Sequence, residues 1–503
     1  MKYVIGIDIG TTGTKTLLCS NSGKIIASSL VEYSLSHSKP GWAEQDPIDW
    51  WKAVIESINS VVNETNINKE DVKSIGLTGQ MHGAVFLDSN NNVLRPAILW
   101  CDQRTSSECD DINKIIGKEN LIKLTSNPAL TGFTAPKILW VRKNEPRVYE
   151  KTRKILLPKD YIRFRLTGEF AGDVSDASGT LLFDVKNRKW SGKVLEKLDI
   201  DRNMMPKIYE STEVTGTLTK DTSKLLGLSK ETTVVAGAGD QAAGAVGNGI
   251  VEQGIISSTT GTSGVVFAYT DKVKTDPSGR LHTFCHAVPG KWHVMGVMLA
   301  AGGSFKWLRD MLGINSYHVM TEQASKAPTG SEGLIFLPYL MGERTPYADP
   351  DAKAVFFGIS PRHTRAHIIR SVMEGVSFGL RDSLEIIKEL DIPISEIRAS
   401  GGGAKSKLWK QIQADVNKKP IYTINVDEGP AFGAALLAMV GSKIYSSVPE
   451  ACRQTIKTVN KIDPIPQNTQ IYDKYYKLYK NLYKTLKNNF KQCAELVRQG
   501  IKN

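Results

Sequence analysis

Cysteine is scarce in this 503-residue sequence, and the six present, Cys19, Cys101, Cys109, Cys285, Cys452 and Cys493, form no CxxC pair and have no histidine at zinc spacing. That excludes a disulfide framework and a zinc ribbon, and it fits reduced thiols in a cytoplasm. Long apolar runs are missing as well. No stretch reaches the roughly 18 uncharged apolar residues of a membrane span, and Met1-Lys2-Tyr3-Val4 enters a strand-like segment directly, where a signal peptide would have an apolar run. A soluble chain with no membrane partner is the expectation. No GxxxxGK[ST] segment occurs, which excludes a P-loop protein. With no Pro/Gly-dominated or long polar tract, disordered, fibrous and collagen-like classes drop out too.

Lysine and arginine (64) outnumber aspartate and glutamate (52), for a formal charge of +12, but the basic residues are spread out with no dense arm. Nucleic acid is therefore not the expected partner; an anionic small-molecule substrate fits the charge as well, and lysine-rich surfaces are common. The length implies more than one domain.

Lys2 to Ile9 is β-prone, and a second such run starts at Thr16 after Gly10-Thr-Thr-Gly-Thr-Lys15, so the N-terminus reads as a hairpin with a Gly/Thr tip. Thr-Thr-Gly-Thr recurs at 259–262 inside Ile255-Ile-Ser-Ser-Thr-Thr-Gly-Thr-Ser-Gly-Val-Val-Phe267, and the shared strand, turn, strand context predicts a duplicated architecture. Helical periodicity appears over 47–65 and 367–390, and strands alternate with helices, which makes the class α/β. The break between the halves falls at Gly244 to Gly254. Over 471–497, Ile471, Tyr475, Leu478, Leu482, Leu486, Phe490, Cys493 and Val497 predict one apolar helix face, with lysines elsewhere.

Six segments carry chemistry. Asp8 ends a strand ahead of a tight Gly/Thr turn whose N–H groups and hydroxyls suit phosphate oxygens, with Lys15 adding charge. An acid there is placed to hold Mg²⁺, although an Asp-Gly turn alone would give the same pattern. Asp240 follows Ala236-Gly-Ala-Gly239 at a strand-to-helix corner, where a carboxylate can serve as general base toward a hydroxyl. Gly237-Ala-Gly239 imitates a dinucleotide fingerprint but lacks the acid about 20 residues on. Gly401-Gly-Gly403 opens a turn before a helix, leaving bare backbone for a flat base and its ribose. Ala300-Ala-Gly-Gly-Ser304 leads a helix, as an anion site or as close helix packing. Gln80-Met-His-Gly83 and Trp100-Cys-Asp-Gln-Arg104 follow strand-like runs, where α/β folds place ligands; His82 alone would equally be a hydrogen-bonded structural histidine. His282 and His286 stand four apart in an extended segment, and no metal site is expected of them.

Taken in order, Asp8-x-Gly10-Thr-Thr, Gly132-Phe-Thr-Ala-Pro-Lys137-Ile-Leu-Trp140-Val-Arg-Lys-Asn144, Ala354-Val-Phe-Phe-Gly358-Ile359, His367 to Glu374 and Gly401-Gly-Gly403 resemble the FGGY family of carbohydrate kinases over nearly the whole chain. The resemblance implies two actin-like, ribonuclease-H-like α/β domains flanking a cleft. Residues 1–246 would bind sugar and carry the catalytic Asp, and 247–503 would bind nucleotide and end in a helix. It implies ATP and Mg²⁺, with Asp240 as base and Asp8 organising the metal, directly or through water. Thr11, Thr12, Lys15, Thr260, Gly261 and Thr262 would face the phosphates, and Gly302, Gly402, Gly403 and Lys407 would line the nucleotide. Position 407 departs from related glycerol kinases, which tend to carry Asn. Sugar contacts would come from Gln80, Met81, His82, Trp100, Asp102, Arg104, Asp240 and Gln241, a set that resembles the D-xylulose-phosphorylating members; Cys101 and Gln103 replace the more usual Asn and small residue. Ribulose, other ketoses, polyols and gluconate are the competing acceptors. Many such kinases are homodimers, an assembly no segment here argues for. A non-catalytic sensor on the same fold would require loss of Asp8 or Asp240, and both are present.

Overall fold

The structure is a computed structural model that describes residues 1–500. Two seven-stranded mixed sheets organise it. In the first, strands run in the order Val214–Thr217, Thr233–Val235, Val72–Gly79, Tyr3–Ile9, Gly13–Ser20, Ile25–Glu32, with Ala238–Gly239 pairing the end of Val72–Gly79. Gly13–Ser20 runs antiparallel to both Tyr3–Ile9 and Ile25–Glu32, and Val72–Gly79 on the other side of Tyr3–Ile9 is parallel to it.

Period-two alternation fixes which side each residue of the central strand serves. Ile5, Ile7 and Ile9 pack with Trp50, Val54 and Ile58 of the helix Pro47–Asn63. The other face, Val4, Gly6 and Asp8, turns toward the helix Gly429–Gly441, which closes over it almost backbone to backbone. A Cβ at Gly6 would lie 2.1 Å from the Ala431 carbonyl oxygen, one at Gly76 1.9 Å from that of Ala434, and one at Gly433 1.8 Å from that of Ala243. No side chain fits at those three crossings. Gly433→Ala is therefore expected to cost about 3 kcal/mol through overpacking; a thermal melt unchanged from the parent would contradict this packing.

That helix comes from the second half of the sequence, yet it completes the core of the first sheet, and Glu428 just before it forms an ion pair with Lys15. Packing thus departs from a simple cut at 246/247.

The second sheet repeats six strands of the first and adds His282–Cys285 at one edge. Its order is His282–Cys285, Trp292–Met298, Gly264–Thr270, Gly254–Thr260, Ile394–Ser400, Ile421–Ile424, Thr458–Ile462, with the same alternation of parallel and antiparallel pairs about Gly254–Thr260. The duplicated architecture is real, but the repeated tetrapeptide is not its register. Ile9 and Gly13 flank the first turn whereas Thr260 and Gly264 flank the second, so Thr259, not an acid, occupies the place of Asp8. The two Thr-Thr-Gly-Thr runs lie three residues out of step.

Helices predicted over 47–65 and 367–390 occur as Pro47–Asn63 and Arg365–Glu389. The terminal helix is Pro466–Gly500, and there the expected face needs correction. Ile471, Leu478 and Val497 are exposed, while Tyr472, Tyr476, Tyr479 and Tyr483 are buried with Leu482 and Phe490. The tyrosines win because each hydroxyl has a partner inside: Tyr472 donates to Glu374 (2.8 Å), Tyr476 to Asp382 (2.6 Å) and Tyr483 to Asp349 (2.8 Å), and Tyr479 accepts from Tyr339 (3.0 Å).

Candidate active site

Three neighbouring parallel strands of the first sheet end level with one another, Ile9 opposite Gly79 and Gly79 opposite Gly239. The carboxyl ends of such strands are where α/β sheets bind ligands. Asp8, Gln80 and Asp240 lie at those three ends, and Asp240 opens the helix Asp240–Gly247. The segment after Gly79 presses on the same corner: a Cβ at Gly239 would meet Met81 at 2.9 Å, and one at Gly179 would meet the His82 ring at 2.4 Å. Glycine at both places lets the candidate sugar segment seat itself beside Asp240.

The two acids are electrostatically paired. Burial, then the charge of Asp240, pushes Asp8 up to about 7, while Lys15 pulls the other way. Burial pushes Asp240 up to about 6 against hydrogen bonds from the backbone and side chain of Gln241. Asp8 Oδ1 is buried without a hydrogen-bond partner. A divalent cation would supply the missing counter-charge there. Among the described residues no group of three or more His, Cys, Asp or Glu side chains could hold a metal, so a cation would be shared with ligand oxygens.

Gln80 is committed at both ends. Its Nε2 donates to Gln45 Oε1 (2.9 Å), and its Oε1 accepts from Thr11 Oγ1 (3.3 Å), which itself accepts from Trp100 Nε1 (3.0 Å). Gln45 Nε2 donates to the Thr11 carbonyl (2.6 Å), and Trp50 Nε1 donates to Gln45 (3.1 Å). This network fixes the hairpin tip, and Gln45 escaped sequence reading because it merely precedes a helix-starting Asp-Pro.

His82 holds a left-handed backbone, φ 69°. Its Nδ1 donates to the Gly179 carbonyl (2.7 Å), and its own carbonyl accepts from Lys137 Nζ (2.8 Å) and Thr134 Oγ1 (3.1 Å). Burial, reinforced by Lys137, holds the imidazole neutral, well below its usual range. Lys137 is itself fully buried and pushed down to about 7 by burial.

Asp102 and Arg104 do not present free polar faces. Arg104 grips both Asp102 oxygens (2.7–3.0 Å), Asp102 also accepts from Ala43 N (2.6 Å), and the guanidinium lies 3.5 Å from the centre of the Trp42 ring and donates to Glu44 (2.8 Å). Both are almost wholly buried. They brace the loop that presents the exposed Trp100, a correction to the direct contact expected of them. Lys15 is likewise already paired, with Glu428.

The second sheet gathers the remaining candidates. Gly302 N donates to the Gly261 carbonyl (2.7 Å), and Gly303 N to that of Thr262 (3.0 Å), which binds the helix Gly302–Met311 to the second hairpin turn. Gly403 packs so close to Thr260 that a Cβ would lie 2.7 Å from its side chain. Thr260, Gly261, Thr262, Gly302, Gly402 and Gly403 thus form one bare-backbone patch. Thr12 and Lys407 lie exposed beyond their turns.

Comparison with known proteins decides the family. The N-terminal domain model of the FGGY family of carbohydrate kinases matches residues 3–247, and its C-terminal domain model matches 256–442. The chain belongs to the FGGY family of carbohydrate kinases. A xylulose kinase of Bacillus subtilis (strain 168) is 39% identical over 482 residues, 96% of each chain. A ligand-bound xylulose kinase from Lactobacillus acidophilus superposes with a TM-score of 0.93 at 30% identity, covering 98% of this chain and 100% of that one. A gluconate kinase from the same organism superposes equally well, at 0.93 and 30%, with 98% and 99% covered. Backbone shape is therefore shared across different named activities. The fold is the two-domain actin-like ATPase fold of this family, and this carbohydrate kinase takes ATP and a small sugar as substrates. Among the described residues no helix is long and apolar enough to cross a membrane.

For this carbohydrate kinase the raised Asp240 carries a pH prediction. A base acts only when unprotonated, so kcat/KM is expected to fall about tenfold per unit below about 6 and to level off above it. A profile flat from pH 5 to 8 would contradict that assignment.

Proposed function

We propose that this kinase transfers the γ-phosphoryl group of ATP to D-xylulose in the cytoplasm, giving D-xylulose 5-phosphate and ADP. The observation that carries the reading is the seating of the Gln80–Gly83 segment against Asp240, Met81 on Gly239 and His82 on Gly179. Its support for the particular sugar comes from the relatives named as xylulose kinases, with which the chain aligns over nearly its full length.

In this reading Asp240 takes the proton from the sugar hydroxyl as its oxygen attacks the γ-phosphorus and the bond to the β-γ bridging oxygen of ATP breaks. Met81, His82 and Gln241 line the sugar, Thr11 and Gln80 fix the hairpin tip, and Trp100 covers the entrance. The patch formed by Thr260, Gly261, Thr262, Gly302, Gly402 and Gly403 receives the nucleotide on the second sheet. Asp8 would hold Mg²⁺, which would supply the positive charge that phosphoryl transfer needs. The sugar belongs to the first sheet with its returning helix, and ATP to the second.

A coupled ADP-release assay with Mg-ATP and D-xylulose, D-ribulose, L-ribulose, glycerol, D-gluconate and D-xylose tests the proposal. Selective turnover of D-xylulose, abolished by EDTA, is the expected result. Turnover confined to gluconate or another acceptor would overturn the choice of sugar.

A further inference from the structure

Position 137 is an unfavourable place for a cation. Lys137 is fully buried, and it sits in the first turn of the helix Thr134–Asn144, where the free backbone N–H groups already carry partial positive charge. Among the described residues its hydrogen bonds go to no carboxylate. Nζ donates instead to two backbone carbonyls, those of His82 (2.8 Å) and Gly132 (2.6 Å). A methionine would fill similar space without the buried charge, so what the ammonium adds is those two bonds.

Each carbonyl ties Lys137 to one of the two segments that flank the sugar. The left-handed backbone of His82, φ 69°, is uncommon for a residue with a side chain and persists only where the surroundings over-determine it. Four contacts do so here. Lys137 and Thr134 Oγ1 (3.1 Å) hold the His82 carbonyl, the Gly179 carbonyl holds Nδ1 (2.7 Å), and the Phe133 ring packs on the imidazole at 4.8 Å between centres. Three of the four come from the stretch 133–137. The turn just before that stretch backs the loop that carries Trp100. A Cβ at Gly132 would lie 2.8 Å from the Trp100 carbonyl oxygen, the Thr131 carbonyl accepts from Thr105 Oγ1 (3.1 Å), and Thr131 Oγ1 donates to Gln103 Oε1 (2.8 Å). Gln80–Gly83 and the Trp100 loop thus share one support, and Lys137 bonds to both sides of it.

We propose that Lys137 is a positioning residue of the sugar site, a single ammonium that locks the Gln80–Gly83 segment to the turn backing the Trp100 loop. It acts through His82 and Trp100 rather than on the sugar itself, and the proposal rests on reading those two segments as the sugar side of the site. Lysine suits the task because three donors on one tetrahedral nitrogen can serve carbonyls approaching from different directions, whereas a planar guanidinium or amide fixes their angle. The clamp lies wholly on the first sheet's side, away from the bare-backbone patch of the second, so it governs the affinity for sugar and not for ATP.

Lys137→Met, Thr134→Val and His82→Asn provide the test. Lys137→Met should raise the KM for D-xylulose on the order of 10-fold while the KM for ATP stays within about twofold. Thr134→Val, which removes one bond to the His82 carbonyl and keeps the side chain's shape, should raise the sugar KM by a smaller factor. His82→Asn keeps a residue that tolerates the left-handed backbone and loses the ring. In that background Lys137→Met should raise the sugar KM by a smaller factor than it does in the parent, since part of what it positions is gone. An unchanged sugar KM in folded Lys137→Met, an equal rise in both KM values, or equal factors in the two backgrounds would overturn the proposal. Should Lys137→Met not fold, Thr134→Val with and without His82→Asn decides it by the same comparison. A parent that turns over a different acceptor defeats the choice of D-xylulose alone, and the same KM measurements made with that acceptor then test Lys137.

Discussion

Asp240→Asn is expected to lower kcat by 10²- to 10⁴-fold, the range general-base catalysis supplies, while ATP and sugar still bind. The amide keeps the shape of the side chain and loses only its basicity. The same change should stabilise the protein. A carboxyl whose pKa rises on folding contributes stability below its unfolded value, here near 3.8, and that contribution is lost as pH climbs through its folded value near 6. At neutral pH the partly buried, ionised Asp240 therefore costs at most about 2–3 kcal/mol, which Asn removes. An inactive variant that melts higher than its parent joins the two halves of this argument. Near-normal turnover would remove Asp240 from the reaction, and a lower melting temperature would contradict the cost assigned to its burial.

Lys159→Met should produce the largest loss of stability. Lys159 is fully buried and holds Asp160 (2.6 Å), Asp173 (2.7 Å) and Asp176 (3.4 Å), with Arg163 also on Asp160 (2.8 Å). From this cluster two ties reach the Asp240 corner. Asp173 accepts from Ser175 Oγ (2.5 Å), which accepts from Gly239 N (3.1 Å), and Arg163 donates to the Ala236 carbonyl. Burial already pushes Asp176 well above the usual carboxylate range. Removing the lysine leaves acids in an apolar interior without their cation, a change that costs about 3–5 kcal/mol. A fall in melting temperature on the order of 10 °C follows. Adding Asp176→Asn should recover part of it, because one uncompensated charge goes with the cation. A single variant that melts like its parent, or a double variant no better than the single, would contradict this reading of the cluster.

Much of the site could be read from residue types alone. Asp8, Gln80 and Asp240 each follow or end a β-prone run, and strand ends in a parallel arrangement converge, so their meeting was implied by local pattern. The duplication was also legible, though through its strand, turn, strand context; the matching tetrapeptide that drew attention to it is out of register. What stayed hidden depends on contacts distant in sequence. Nothing near Gly429–Gly441 says that its glycines and alanines close on Gly6 and Gly76, since a small-residue helix is equally suited to any tight neighbour. Asp102 and Arg104 looked like ligand contacts because polar residues at a strand end usually are, and only the fold shows them spent on each other. The tyrosines of Pro466–Gly500 were misassigned for a related reason: a phenol counts as surface until buried Glu374, Asp382 and Asp349 appear to receive it.

The most direct test is the stoichiometry of products formed from Mg-ATP and D-xylulose, with sugar phosphate and ADP quantified in the same sample by ³¹P NMR. The account predicts one D-xylulose 5-phosphate for each ADP with the parent, and neither product at a comparable rate with Asp240→Asn. ADP released without sugar phosphate, or sugar phosphate formed as fast by Asp240→Asn, would contradict it.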